Sequence, residues 1–290
     1  VMGSLFRTGG GGKGFNQAIA AHLAGADLVF STRLGRDGFA QLAVETMERT
    51  GLSTEHLIWS EEDPTGAALI CVDSQEGGNQ IVVVPGACGR FSGTEVERLT
   101  ELVRPCSHLL LQLEINLDAV ERLAGAAAAA GVKVILNPAP VQPVSPALYQ
   151  TLELITPNEV EAALLTGISC QDADGCRRAA RFFLERGVKN VVITLGGQGA
   201  YCTDGVQEVL LPNYPLPVVD TTGAGDAFNG GLLAGLGRGL GLFEAAGYAM
   251  VVSNLSVTRM GTAASMPDSH EIEQFIQTHG PPATELRPFT

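Results

Sequence analysis

Positive charge is scarce in this chain: 18 Lys and Arg stand against 31 Asp and Glu, a formal net charge of -13 over 290 residues. That balance excludes nucleic acid and an anionic membrane surface as partners, since both would be repelled. No apolar run approaches the ~20 residues that span a bilayer, and no signal peptide is visible. The six cysteines (Cys71, Cys88, Cys106, Cys170, Cys176 and Cys202) form no C-x-x-C pair and no metal-ligand spacing. They read as small buried residues of a reduced, cytosolic protein. Charged residues amount to 17% against 45% hydrophobic, the proportions of a compact enzyme with one large core or one core and a small appendage.

What the chain does contain is alternation. Ser92-Gly93-Thr94-Glu95 has the form of a capping box and opens a helix toward Val103. Residues 108–113 read as a strand ending at Glu114, residues 116–130 as a helix stopped by Gly131, and residues 132–136 as a strand ending at Asn137. Residues 154–156 lead to Asn158, and residues 191–194 to Gly196. Such a pattern predicts an α/β fold, a mostly parallel central sheet with helices on both faces. Ligands of such sheets bind beyond the carboxyl ends of the strands, which groups Glu114, Asn137, Asn158 and Gly196 into one site. Residues 28–30 read as a buried strand, and Asp37 opens a helix ending near Gly51. Residues 67–72 and 80–84 are β-type runs joined by turn residues, either a small separate sheet or a plain hairpin on the sheet edge.

The most pointed chemistry lies in Asp220-Thr221-Thr222-Gly223-Ala224-Gly225-Asp226. Residues 216–219 before it read as a short strand, and Phe228, Leu232 and Leu236 after it recur at helical spacing. A glycine turn entering a helix aims unpaired amides and the positive end of the helix dipole at one point. Glycine at 223 and 225 lets a phosphate approach without meeting a Cβ. Asp226 would repel a resting anion there; either it accepts a proton from an attacking hydroxyl or it only caps the helix. A second glycine run, Gly9 to Gly14, precedes a helix whose buried side carries Phe15, Ile19 and Leu23, with Lys13 and Asn16 at its mouth. Gly9-x-Gly11-x-x-Gly14 also satisfies the dinucleotide fingerprint, but no hydrophobic strand of proper length precedes it.

The run Asp220 to Asp226 resembles the C-terminal signature of the ribokinase family of carbohydrate kinases (the PfkB type), and Gly11-Gly12-Lys13-Gly14-Phe15-Asn16-Gln17-Ala18 resembles its N-terminal signature. Gln112-Leu113-Glu114, Leu136-Asn137-Pro138-Ala139-Pro140, Thr156-Pro157-Asn158-Glu159, Ile193-Thr194-Leu195-Gly196 and Val257-Thr258-Arg259-Met260-Gly261 stand in the family's order. The resemblance implies a ribokinase-like fold. Residues 9–56 and 85–290 would form the nucleotide- and sugar-binding domain, and residues 1–8 and 57–84 a small β-sheet lid. Residues 1–8 would be one strand of that lid, and its N-terminal part is expected to be missing, because neither the partner strand nor the family's Asn-x-Asp element precedes them. The implied activity is transfer of the ATP γ-phosphoryl group to the primary (5-) hydroxyl of D-ribose. Alternatives are a kinase for another pentose or a nucleoside, or a catalytically impaired sugar- or nucleotide-binding protein.

The same resemblance distributes the roles. Asp226 is the general base, and the amides of Gly223, Ala224 and Gly225 are the anion hole. Gly12, Lys13, Asn16 and Glu114, with Asp226 itself, hold the sugar. Asn158, Thr194, Gly196, Gly199, Gly225 and Met250 face the nucleotide, and Asn158 with Glu161 positions Mg²⁺ through water. Asp220, Thr222, Ser256, Arg259, Gly261 and Ser265 form an oxygen cage for K⁺, a donor set suited to a hard cation. The lid implies a homodimer.

Overall fold

The computed structural model describes residues 6, 8–72 and 79–280. The chain runs α1 (Lys13–Leu23), β1 (Arg33–Leu34), α2 (Gly38–Thr50), β2 (Ile58–Trp59), β3 (Ala67–Val72), β4 (Asn79–Val84) and α3 (Gly93–Val103). It continues β5 (His108–Leu111), α4 (Leu117–Ala129), β6 (Lys133–Leu136), α5 (Pro146–Thr151), β7 (Leu152–Ile155), α6 (Glu159–Thr166), α7 (Ala173–Leu184) and β8 (Asn190–Thr194). The last elements are β9 (Ala200–Thr203), β10 (Glu208–Leu211), α8 (Ala224–Gly237), α9 (Leu242–Ser256) and α10 (Ser269–His279).

Six strands form the central sheet in the order β10-β9-β8-β7-β6-β5. β5 to β8 are parallel, as the alternating pattern implies. β9 and β10, unexpected from the sequence, extend the sheet antiparallel. Side-chain period two sorts the core into two layers. Val134 and Leu136 of β6 join Val120, Leu148, Ala162 and Phe183 from α4 to α7 on one face. Ile135 points the other way, toward Phe228 and Leu232 of α8 and Ala246 of α9. Helices therefore cover both faces.

Local chemistry explains most helix ends. Asp37 accepts from the Phe39 and Ala40 amides at the start of α2, which Gly51 closes at φ +79°. Ser92 and Glu95 form the expected capping box of α3, and Asp268 with Glu271 does the same for α10. Four helices, α1, α4, α8 and α9, have no side-chain cap at their N-cap residue, and two of them begin at a left-handed glycine. α1 starts after Gly12 and α8 after Gly223, at φ +98° and +79°, each without a side-chain cap. Both glycines occupy the left-handed region that other residues adopt only under strain.

Several expectations need correction. Residues 28–30 make no strand: Val29 is exposed, while Leu28 and Phe30 pack on the core shared by α1 and α2. Residues 216–219 are loop, with Val218 and Val219 exposed; no strand neighbours them, and the Val219 and Asp220 amides donate to the Val257 carbonyl instead. β3 and β4 form a separate two-stranded antiparallel sheet, so the edge-hairpin alternative falls. Their connection and the strand expected over residues 1–8 lie outside the described residues, apart from Phe6 and Thr8, which are in no strand. Cys170, Cys176 and Cys202 are buried, but Cys71 is exposed and Cys88 and Cys106 are half-buried.

Candidate active site

The two helices that begin at left-handed glycines, α1 and α8, meet. α8 packs against α1 through Gly230, where an added Cβ would lie 2.6 Å from the Gln17 carbonyl oxygen and 2.8 Å from the Ala21 nitrogen. On other sides of α8, Phe228 and Leu232 enter the sheet core, and Gly231 and Gly235 fit against Val252 and Ala245 of α9. Small residues on one helix thus let three elements close on a common point.

Asp226 lies there, in the first turn of α8 and only 8% exposed. Its Oδ2 accepts from Asn16 Nδ2 at 2.8 Å and its Oδ1 from Gln17 Nε2 at 3.0 Å. Burial raises the carboxyl above its ordinary range and Glu114 adds to the rise; Lys13 and the two amides pull the other way without cancelling it. A helix cap would accept from the amides of its own first turn. Asp226 instead turns to side chains of α1, which removes the capping alternative.

The amides are partly as expected. The Ala224 amide donates to the Thr221 carbonyl at 3.1 Å, so it is not open to an anion. Among the described residues the amides of Gly223, Gly225 and Asp226 have no partner. At the mouth of α1, the Lys13 amide donates to Glu114 Oε2 at 2.7 Å, so a carboxylate from beyond β5 takes the place of the missing cap. The Lys13 ammonium joins no ion pair among the described residues, yet its field reaches both Asp226 and Glu161. Asn16 is buried and its Oδ1 has no partner.

Asn158 and Glu161 form a reciprocal capping box at α6: Asn158 Oδ1 accepts from the Val160 and Glu161 amides, and Glu161 Oε2 accepts from the Asn158 amide. Asn158 Nδ2 and Glu161 Oε1 stay uncommitted among the described residues. Burial raises the Glu161 carboxyl, against the pull of the Asn158 amide and Lys13 and helped by Asp226 and Glu159. Thr194 ends β8 in a bridge with Asn158. Gly196, at φ +51°, has its carbonyl held by Asn213 Nδ2 at 2.8 Å. Gly199 is explained by the fold alone, because an added Cβ would collide with the Leu211 carbonyl. Met250 needs a firmer correction. It is 4% exposed and sits in the sheet core with Phe228, Leu232 and Leu211, so its thioether has almost no surface to offer a purine.

The loop that begins α8 is tied to the one after α9. Asp220 accepts from the Thr222 amide through Oδ1 and from the Gly261 amide through Oδ2, both at 2.9 Å. Burial alone would raise its carboxyl; those backbone donors outweigh it and hold the group below the ordinary range. The carbonyls of Asp220, Thr222, Arg259 and Gly261 accept nothing among the described residues. Ser256 is already an acceptor for the Arg259 amide, and the Ser265 hydroxyl donates to Thr262. The Arg259 guanidinium is turned away, bound to Glu271 at 2.7 Å. Cavities of about 410 Å³ beside Asp63 and Arg90 and about 130 Å³ beside His108 and Lys133 lie away from Asp226, so the site is identified by its chemistry.

The model of the pfkB family carbohydrate kinases matches residues 3–269. The chain belongs to the pfkB family of carbohydrate kinases. It is 34% identical to the ribokinase of Haemophilus influenzae over 277 residues, 96% of this chain and 90% of that one. It is 38% identical over 278 residues to a bifunctional ribokinase/ribose-5-phosphate isomerase A of Fructilactobacillus sanfranciscensis, spanning 96% of this chain and about half, 51%, of that protein. Among solved structures, the ribokinase of Arabidopsis thaliana complexed with ribose and ATP matches with TM-score 0.89 and 29% identity, over 96% of this chain and 90% of that one. Membership in a carbohydrate kinase family, with no strand ahead of α1 among the described residues, disposes of the dinucleotide reading of Gly9, Gly11 and Gly14.

For a pfkB carbohydrate kinase the most informative unforeseen residues are Gln17, Thr156 and Asn229, buried and polar like Asn137, which the strand-end argument had already placed in the site. Gln17 stood in a quoted motif without a role. An amide amid Phe15, Ala18, Ile19 and Ala20 is the local sign that could have singled it out.

Proposed function

We propose that this protein transfers the γ-phosphoryl group of ATP to the primary (5-) hydroxyl of D-ribose, giving ribose 5-phosphate and ADP. The observation that carries the reading is the buried Asp226 carboxylate, held at the tip of α8 beside the open Gly223 and Gly225 amides. The ribokinase relatives and the ribose- and ATP-complexed neighbour support the choice of substrates. As the hydroxyl oxygen attacks the γ-phosphorus, its proton passes to Asp226 and the bond to the ADP oxygen breaks. The Gly223 and Gly225 amides hold charge on the group in transit.

On the sugar side, the buried Asn16 Oδ1 without a partner calls for a hydroxyl donor. Glu114 keeps Oε1 for another hydroxyl while Oε2 caps α1. Lys13 and the backbone at Gly12 complete that wall. On the nucleotide side we place Asn158, Thr194, Gly196 and Gly225. Glu161, with one oxygen uncommitted and its charge poorly solvated, fits a hydrated Mg²⁺, which would neutralise phosphate charge when bound. The four carbonyls around Asp220 fit a monovalent cation such as K⁺, whose charge would order the turn before α8. Replacing K⁺ by tetramethylammonium at constant ionic strength should then lower kcat; equal rates in both salts would remove the cage.

We assign residues 57–84 as the lid and propose that it pairs with a second copy. Leu69, Ile70, Val82, Val83 and Val84 are exposed on β3 and β4, an apolar surface that a monomer would leave wet. Sedimentation equilibrium should give twice the chain mass, and a monomer at micromolar concentration would refute this pairing. The function itself is tested by ADP release with and without D-ribose, beside other pentoses and nucleosides. Release that requires D-ribose and gives the highest kcat/KM with it is expected. A higher kcat/KM with another acceptor, or no acceptor-dependent release, would overturn the assignment.

A further inference from the structure

Beneath the site runs a continuous chain of side-chain amides and one hydroxyl. Gln112 Nε2 donates to Gln17 Oε1. Gln17 Nε2 donates to both Asp226 Oδ1 and Asn137 Oδ1, each at 3.0 Å. Asn137 Nδ2 donates to the Thr156 carbonyl at 2.9 Å, Thr156 Oγ1 to Asn229 Oδ1 at 2.6 Å, and Asn229 Nδ2 to the Gly225 carbonyl at 2.8 Å. Gln112, Asn137 and Thr156 each follow the last residue of β5, β6 and β7. Gln17 is 1% exposed, and Asn137, Thr156 and Asn229 are buried with it. The chain therefore begins at the sheet ends and reaches Asp226 by one branch and the first turn of α8 by the other.

We propose that Gln17 is a positioning residue for phosphoryl transfer, fixing the Asp226 carboxylate by Oδ1 so that base and anion hole keep one separation. The inference rests on the reading of Asp226 as the base. Gln17 suits the task because nothing about it is left to turn: both amide protons and its carbonyl are committed, so its orientation is determined. Room for this is built in. A Cβ on Gly14 would lie 2.7 Å from Gln112 Oε1, so a larger residue there would displace the amide that orients Gln17. Asn16 is the contrasting partner. It holds the other carboxylate oxygen but has an uncommitted Oδ1, so it can reorient when a hydroxyl arrives.

A donor to a carboxylate also favours its ionised form, so Gln17 bears on the pH at which Asp226 is ready to accept a proton. The test is the acid limb of kcat/KM against pH, with melting temperature measured alongside. Gln17→Met keeps length and loses the donors. It should move the limb upward by about one pH unit and lower kcat by about 10- to 100-fold, with KM for ATP little changed. Gln17→Glu keeps the shape but sets an ionisable carboxyl against Asp226, and should move the limb further in the same direction. Gln112→Met, at a half-buried position, breaks only the bond to Gln17 Oε1 and should give a smaller shift of the same sign, which keeps the question open to measurement should the Gln17 variants not fold. A lowered melting temperature with an unmoved limb in the variants that fold would overturn the proposal. Retention of wild-type activity by Asp226→Asn would instead defeat the reading of Asp226 beneath it.

Discussion

Asp226→Asn should lower kcat by roughly 10²–10⁴-fold while leaving the sugar KM nearly unchanged, the range of a lost general base. The site has room for the substitution. The new amide would still accept from Gln17, and a turn of Asn16 would bring its unpartnered Oδ1 round to receive the second interaction. The activity loss would therefore not be a folding loss, and the stability effect should have the opposite sign. Burial holds the wild-type carboxyl above its unfolded value, so the folded state binds the extra proton between the two values. Stability then falls as pH rises through that window: the penalty is absent below the unfolded value near ~4 and full above the folded one. Asp226→Asn removes the penalty, so the variant should melt above wild type at pH 7, with the gap closing toward pH 4. Near wild-type kcat in this variant would reduce Asp226 to a structural acid.

The second large effect is expected at Gly230. A methyl there would lie within 2.6 to 2.8 Å of backbone atoms of α1, and closer still to the Ala20 Cβ. Rigid backbone cannot yield as a flexible side chain does, so α1 and α8 must part by about 1 Å, at a cost of about 1–3 kcal/mol for overpacking, partly offset by the better helix propensity of alanine. Catalysis should suffer more than stability. α1 carries Lys13, Asn16 and Gln17, α8 carries Asp226, and a misplacement of ~1 Å between reacting groups is worth ~10²-fold in rate. Gly237→Ala, at the open end of the same helix with nothing near its Cβ, is the control and should be neutral or slightly stabilising. Gly230→Ala with unchanged kcat would show that the close approach of the two helices does not set the geometry of the site.

What the sequence made legible was local or periodic. The Ser92–Glu95 box, the Asp37 cap and the strand ending at Asn137 stand as expected, while the strand expected to run to Glu114 stops at Leu111. Residues 28–30 and 216–219 have the composition of strands, but a strand exists only where a partner offers hydrogen bonds, and partnership is a tertiary fact. β9 and β10 went unforeseen because four-residue runs after a glycine turn give little periodicity to detect. Met250 was misplaced for a similar reason: its helical position was legible, but not the face of α9 that turns to the sheet. Gly223 and Gly225 pointed to an anion site, but only the coordinates reveal that Ala224 spends its amide on Thr221. Gln17 illustrates the limit best. Its two donors join residues 120 and 209 positions away, a pairing that no local pattern contains.

The central claim is that a carboxylate and unpaired main-chain donors share one helix tip, so that a hydroxyl loses its proton where a phosphate is held. The most direct test is a crystal structure with D-ribose and a non-hydrolysable ATP analogue bound together. The account predicts the ribose 5-hydroxyl within hydrogen-bond distance of Asp226, in line with a γ-phosphate received by the Gly223 and Gly225 amides. A γ-phosphate away from those amides, or a 5-hydroxyl out of reach of Asp226 with its oxygens still bound only to Asn16 and Gln17, would contradict it.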